Sequence, residues 1–220
     1  MKSYQNLILL QNLYRQKALG FEYSDPFPIN EIQYSQTPTS LEQLTKNISN
    51  CFLCDLSKSR RQSMGGYGNP HAELMIIDFS VSQTEDTQNN YYTGRSGESL
   101  RKMIENVLQM RIEDVYFTHV VKCKTLNSNI PSPSECDSCR PYLNSQIEFI
   151  QPKVIVTLGA DAYYSMTYET ENFEAVRGHV IDCKKYKLIP IYHPSFLLRN
   201  PELKKLTFAD LKTIKSSLQS

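Results

Sequence analysis

Cys51, Cys54, Cys123 and Cys139 put the strongest constraint on how this chain folds. Cys51-Phe52-Leu53-Cys54 is a C-x-x-C pair. Lys122-Cys123-Lys124 and Cys139-Arg140-Pro141-Tyr142-Leu143 lie far downstream. Four thiolates can hold one tetrahedral metal ion or a cubane iron–sulfur cluster. If these four share a ligand, three separate segments must converge on it, and the N-terminal part of the chain is tied to its middle. Two other readings stay open on spacing alone. Cys136-Asp137-Ser138-Cys139 is a second C-x-x-C pair, which admits a zinc site on Cys51, Cys54, Cys136 and Cys139. All six cysteines, Cys183 included, can also be free thiols.

A chain of 220 residues is one domain with room for a real core, or one domain with an appendage. No apolar run approaches the ~18 residues of a membrane span, so no membrane association is expected. The N-terminus carries no basic segment followed by a small-residue cleavage site. With clustered C-x-x-C pairs, this favours a cytoplasmic protein with reduced, metal-ligating cysteines over a secreted disulfide scaffold. A monomer is expected. Net charge is +1, too small for a strong global field toward nucleic acid. The distribution is uneven: from Arg177 to Ser220, nine Lys or Arg face three Asp or Glu. That segment reads as a solvated helix face or as an edge that meets phosphate.

Tyr4 to Leu19 reads as a helix with Leu7, Leu10, Leu13 and Tyr14 on one stripe, and Phe21 to Thr39 as a linker. Residues 1–40 are thus an N-terminal helical extension, whose apolar stripe offers a face to a protein partner. Residues 41–220 are the main domain. Ser40 caps a short helix running into Cys51. Gly65 to Pro70 reads as a turn. Strands are expected at Glu73–Asp78, Val115–Val121, Lys153–Leu158, Val176–Ile181 and Lys187–Tyr192. Helices are expected from Gly94, from Ser132 or Ser134 to Ile150, from Asp161, and from Pro201 to Leu218. This alternation predicts a three-layer α/β/α fold with a mainly parallel central sheet. Ligands then bind beyond the carboxyl ends of the strands, at Asp78–Asp86, His119–Cys123, Gly159–Asp161 and His193–Arg199.

Those segments resemble the iron–sulfur (family 4) uracil-DNA glycosylases from about Cys51 to Asp210. The matching residues are Cys51-x-x-Cys54, Glu85-Asp86, Tyr92-Thr93-Gly94-x-x-Gly97 and Val120-Val121-Lys122-Cys123. Further on they are Cys139-Arg140-Pro141-Tyr142-Leu143, Pro152 to Gly159, Arg177-Gly178 and His193-Pro194-Ser195-Phe196-Leu197-Leu198-Arg199. The resemblance implies a uracil-DNA glycosylase fold and a DNA-repair hydrolase that cleaves the N-glycosidic bond of uracil or another deaminated base. It also implies a structural [4Fe–4S] cluster on Cys51, Cys54, Cys123 and Cys139, with Cys136 and Cys183 spare. His193 takes the position that meets the pyrimidine as negative charge develops, and Tyr92 that of the stacking Phe. Ser80 and Gly94 line the base site. Ser195, Leu197 and Arg199 form the loop that wedges into the duplex, with Arg177 and Lys185 on the DNA-facing side.

Two positions depart from the family pattern. Family members read Gly-Glu-Ala-Pro-Gly where this chain has Asp78-Phe79-Ser80-Val81-Ser82, so Phe79 replaces the Glu that assists the water. His119 replaces the Asn that reads the uracil edge, and one imidazole nitrogen cannot both accept and donate. Ser128-Asn129-Ile130-Pro131 also replaces an Asn-Arg-x-Pro run. Asp78, beside the lost Glu, is the carboxylate nearest to taking over, although strand neighbours point to opposite faces. The expectation is a slow or altered glycosylase. The alternative is a non-catalytic relative that binds flipped or damaged bases.

Overall fold

The computed structural model describes residues 38–125, 130–169 and 171–219. The expected helix at Tyr4–Leu19, most of the linker, and Ser128-Asn129 lie outside the described residues. From Pro38 onward the chain forms one compact unit.

The first described helix, α1 (Leu41–Ser49), starts on Ser40, whose hydroxyl accepts from the Gln43 N–H, and buries Leu44 and Ile48. It ends just before Cys51. Two strands follow, β1 (Tyr67–Gly68) and β2 (Leu74–Ser80). Then come helices α2 (Gln83–Gln88) and α3 (Gly94–Lys102), the latter continuing as a wider π-turn over Met103–Leu108. Strand β3 (Tyr116–Val121) leads to the long helix α4 (Pro133–Ile150). After it come β4 (Val154–Leu158), α5 (Gly159–Thr167), α6 (Phe173–Val176), β5 (Ile181–Asp182) and β6 (Lys187–Ile191). The chain closes with α7 (Pro194–Arg199), a 3-10 turn at Pro201–Leu203, and α8 (Lys204–Gln219).

The six strands lie in the order β1-β3-β2-β4-β6-β5. The central β3, β2, β4 and β6 are parallel, and both short edge strands are antiparallel. Side chains alternate across the sheet. Met75, Ile77, Val120 and Ile155 face the layer holding Leu143 of α4 and Tyr163 of α5. Leu74, Ile76, Phe117, Val154 and Val156 face Leu100 and Ile104 of the α3 segment and Leu211 and Ile214 of α8. Burial on both faces explains why the strands read as continuous apolar runs.

Two expectations are corrected, and one element is new. The segment Val176–Ile181 is not a strand. Asn172 accepts from the Glu174 N–H and starts α6, and Gly178, at φ 72°, sends its N–H to the Pro190 carbonyl at 2.8 Å. That left-handed turn suits glycine and breaks the extended run, so only Ile181–Asp182 pairs with β6. Tyr67–Gly68, read as part of a turn, pairs with Tyr116–Phe117 as an edge strand. The residues after Asp78 contain the helix α2, started by a capping box in which Ser82 and Glu85 exchange side-chain-to-backbone bonds.

Candidate active site and cysteine centre

Cys51, Cys54, Cys123 and Cys139 line one small internal cavity, with Arg60 and Tyr142 also on its wall. Helix α1 delivers Cys51, and the turn before Asp55 presents Cys54. Cys123 follows the end of β3, and Cys139 sits in the second turn of α4. Arg60 donates from Nη1 to the Cys123 sulfur at 3.1 Å and from Nη2 to the Cys51 carbonyl at 2.8 Å. The Leu53 N–H points to the Cys51 sulfur at 3.5 Å. Burial pushes the Cys139 thiol up to about 11 and raises that of Cys123 as well. Cys136 and Cys183 lie outside this cavity. Among the described residues, no three His, Cys, Asp or Glu side chains are gathered closely enough to hold a single metal ion.

Next to this centre, the Lys122 side chain is almost fully buried. Its ammonium donates to Thr118 Oγ1 at 2.8 Å, to Gln146 Oε1 at 2.7 Å, and to the His119 carbonyl. Burial pushes its pKa down to about 7. Sequence reading found Lys122 only as a motif letter and missed Gln146. Nothing in a helix-face Gln announces that it reaches across to a strand.

A cavity of about 790 Å³ opens beyond the carboxyl ends of β2, β4 and β6, where strand-end reasoning located the site. Asp78, Phe79, Ser80, Tyr92, His193, Ser195 and Arg199 all line it. Asp78 and Phe79 do sit on opposite faces of β2, but both reach the cavity because it caps the strand's end. The Asp78 carboxylate meets His193 Nε2 at 3.1 Å and accepts from the Phe79 N–H at 2.7 Å. On the other side of the ring, Nδ1 accepts from the Ser195 N–H at 3.1 Å and lies 2.6 Å from the Ser195 hydroxyl. Nδ1 therefore keeps its lone pair, and the neutral ring is the Nε2–H tautomer, donating to Asp78. Burial pushes the Asp78 carboxyl up, but the His193 ring more than offsets it and holds it below the usual carboxylate range. Burial likewise opposes a charged His193, and the Asp78 carboxylate outweighs it, so the ring pKa is raised.

Tyr92 is 5% exposed, in a left-handed backbone at φ 58°, with its ring 4.9 Å from that of Phe117. Its hydroxyl is buried without a hydrogen-bond partner. Gly94, at φ 69°, opens α3, and Gly97 one turn later packs against the Tyr92 backbone. His119 is fully buried and does not line the cavity. Its Nε2 meets Glu85 Oε2 at 3.3 Å, and its ring stacks on Tyr91 at 5.7 Å. Glu85 is the residue of this pair that faces the cavity. Burial raises the Glu85 carboxyl, while His119 and the Ser82 N–H pull it below its ordinary value. The sequence reading put His119 on the base edge. The structure puts it behind Glu85.

The loop at α7 divides differently from the sequence reading. Leu197 is fully buried, and Phe196 is the apolar side chain presented outward. Ile130, read in the sequence only as part of an altered run, is 74% exposed at the cavity rim. Arg199 is exposed. Arg177 is not free: it pairs with Asp210 and lies 4.8 Å over the Tyr192 ring. Lys185 sits in the turn before β6. It is therefore at the amino end of that strand, about 16 Å of strand away from His193.

A family model described as the uracil DNA glycosylase superfamily matches residues 66–213. The type-4 uracil-DNA glycosylase of Sulfurisphaera tokodaii is 34% identical over 184 residues, covering 80% of this chain and 84% of its own. That of Archaeoglobus fulgidus is 34% identical over 183 residues, covering 80% of this chain and 92% of its own. A DNA polymerase of Bacillus phage SP01 is 28% identical over 167 residues, only 18% of its length. With a sheet of this topology and a family match over most of its length, the chain belongs to the uracil-DNA glycosylase superfamily.

Proposed function

We propose that this protein is a DNA repair glycosylase that hydrolyses the N-glycosidic bond of uracil or another deaminated base, slowly or with altered specificity. The observation that carries this reading is the Asp78–His193 pair, set in a base-sized cavity beside Tyr92 and Phe79. A flipped base stacks on these rings. His193 offers its Nε2–H to the departing base, and the Asp78 carboxylate holds the water that attacks C1′ and takes its proton. Glu85 reads the base edge, with His119 as a positioning residue behind it. Phe196, Ile130, Ser195, Arg199 and Lys124 meet the DNA backbone and the gap left by the flipped base.

The cysteine cavity supports a [4Fe–4S] cluster on Cys51, Cys54, Cys123 and Cys139. Four cysteines on the wall of one cavity are the donor set a cubane takes, and the Arg60 contact to Cys123 is a ready donor to a thiolate. The cluster supplies a structural tie and no step of the hydrolysis. We also propose a cytoplasmic monomer, a boundary near residue 40, and a protein partner for the helix expected at Tyr4–Leu19.

The test is single-turnover incubation with single- and double-stranded oligonucleotides carrying uracil, hypoxanthine or xanthine, followed by alkali cleavage. We expect slow excision that His193→Ala abolishes. No excision of any base, with DNA binding retained, would make the protein a binder of flipped bases.

A further inference from the structure

The cavity sets a carboxylate against the donor that a departing uracil anion would need. Uracil leaves with the electron pair of the C1′–N1 bond and so departs as an anion. The donor that would meet it, His193 Nε2–H, already points at a carboxylate 3.1 Å away. An anion approaching that donor also approaches Asp78. Glu85 adds a second carboxylate to the same wall, while Lys124 and Arg199 line the cavity on the segments that lead outward to the loops. Aromatic side chains share the lining with aliphatic and small polar ones: Phe79 is among them, and Tyr92 and Phe117 pack against each other. Aromatic faces and carboxylates together attract a flat cation. At about 790 Å³, the cavity also has room for a two-ring base.

Resting on the reading of this cavity as the base site, we propose that it takes cationic N-alkylpurines, such as N7-methylguanine and N3-methyladenine, and releases them faster than uracil. The chemistry balances without an anion-stabilising donor. The alkylated ring carries a positive charge in DNA. When the C1′–N9 bond breaks, its electron pair moves onto the purine and neutralises that charge, so the base leaves neutral. Water adds to C1′ of the oxocarbenium ion, and its proton passes to Asp78 and then to solvent. The ring N–H and NH₂ groups of methylguanine donate to Glu85, while Asp78 stays on the water at C1′. Asp78 thus favours the cationic ground state and the developing sugar cation, and opposes only a leaving anion.

The experiment uses the full-length protein with one duplex in two forms, methylated by a small alkylating agent or carrying a single uracil. Released bases are separated by chromatography under single-turnover conditions, and the enzyme-free release of alkylpurines is subtracted. We expect alkylpurine release to exceed uracil release by about tenfold or more, the scale a partly buried charge contact supplies. Asp78→Asn should lower that ratio at least about tenfold, and Asp78→Glu, which keeps the charge, should preserve it. Thermal unfolding of each variant establishes that it is folded. A second readout, independent of turnover, is competition by the cationic nucleoside 7-methylguanosine for binding to abasic-site DNA, set against uridine. Alkylpurine release at the enzyme-free rate, with uracil still excised, would overturn the proposal and leave the glycosylase reading standing. An unchanged ratio in Asp78→Asn would overturn it as well. No release of either base, with DNA bound, would defeat the glycosylase reading itself.

Discussion

Removing the proposed cluster should cost a large part of the fold's stability, and the amount follows from where the cysteines lie. A ligand shared by Cys54 and Cys123 closes a loop of about 70 residues, and Cys139 on α4 joins the same knot. Treated as a covalent cross-link, closing such a loop removes unfolded-state entropy worth about 4 kcal/mol. A domain of this size has a total stability of about 5–15 kcal/mol. The corresponding fall in melting temperature is about 8–16 °C. The assay compares the protein as purified with the same protein after chelation under mild reduction. Iron per chain and absorbance near 400 nm are followed alongside thermal unfolding. About four irons per chain are expected. Cys123→Ser should lose both the colour and the stability, while Cys136→Ser and Cys183→Ser keep the colour. Equal iron loss from Cys136→Ser would refute the ligand assignment. Complete iron loss with an unchanged melting temperature would refute the cross-link argument.

Gly97→Ala should destabilise by about 1–3 kcal/mol in denaturant titration. Its Cβ would lie 2.7 Å from the Tyr92 Cα and closer still to the Tyr92 carbonyl, and backbone cannot step aside as a side chain does. In the α7 loop, Leu197→Ala should cost about 2–5 kcal/mol of stability. Phe196→Ala should leave stability alone and weaken DNA binding. Arg199→Ala should reduce the salt slope of that binding by about 0.7–0.9, with no such change from Lys185→Ala. The stability difference between wild type and Asp78→Asn should be largest between about pH 4 and 6.5, where both partners are charged in folded and unfolded chains alike. It should shrink as pH falls through the Asp78 value, which is depressed below 3.8. It should also shrink as pH rises through the His193 value, which is raised above 6.5. A flat difference across that range would mean that the pair does not form in solution.

The layer architecture was legible because strand and helix periods alternate so plainly, and the strand ends then located the cavity without any motif. What could not be read were the choices made by single contacts. Val176 to Ile181 alternates like a strand, yet the hydrogen bond of Gly178 to Pro190 and the pairing of Arg177 with Asp210 take it out of the sheet. Leu197 and Phe196 are equally apolar on paper, and only the packing of α7 decides that the first is core and the second surface. Lys185 counted toward a basic edge in a linear tally. In space, its turn lies at the wrong end of β6. The family resemblance made His119 a base reader, but a capping box brings Glu85 between it and the cavity. Asp78 beside Phe79 looked like a side chain on the wrong face. The alternation is real, and its consequence disappears because the strand ends inside the cavity wall.

The two centres of the molecule are not independent, because β3 serves both. Phe117 and His119 face the cavity side, and the strand ends two residues before Cys123. Between them, the buried Lys122 ammonium binds Thr118, the His119 carbonyl and Gln146 of α4, which fixes the end of β3 against α4. A cluster on Cys123 and Cys139 would clamp the same two elements a few residues further on. Glu85 depends on His119 for one of the two partners its carboxylate holds, the other being the Ser82 N–H. Loosening the end of β3 therefore releases a carboxylate on the cavity wall, although no cluster atom takes part in the reaction. Protein depleted of iron, kept below its own melting temperature, should then release bases more slowly while still binding DNA through Arg199 and Phe196. Unchanged release by the depleted protein would mean that Lys122 and Gln146 hold the strand without help, and that the cysteine centre contributes stability alone.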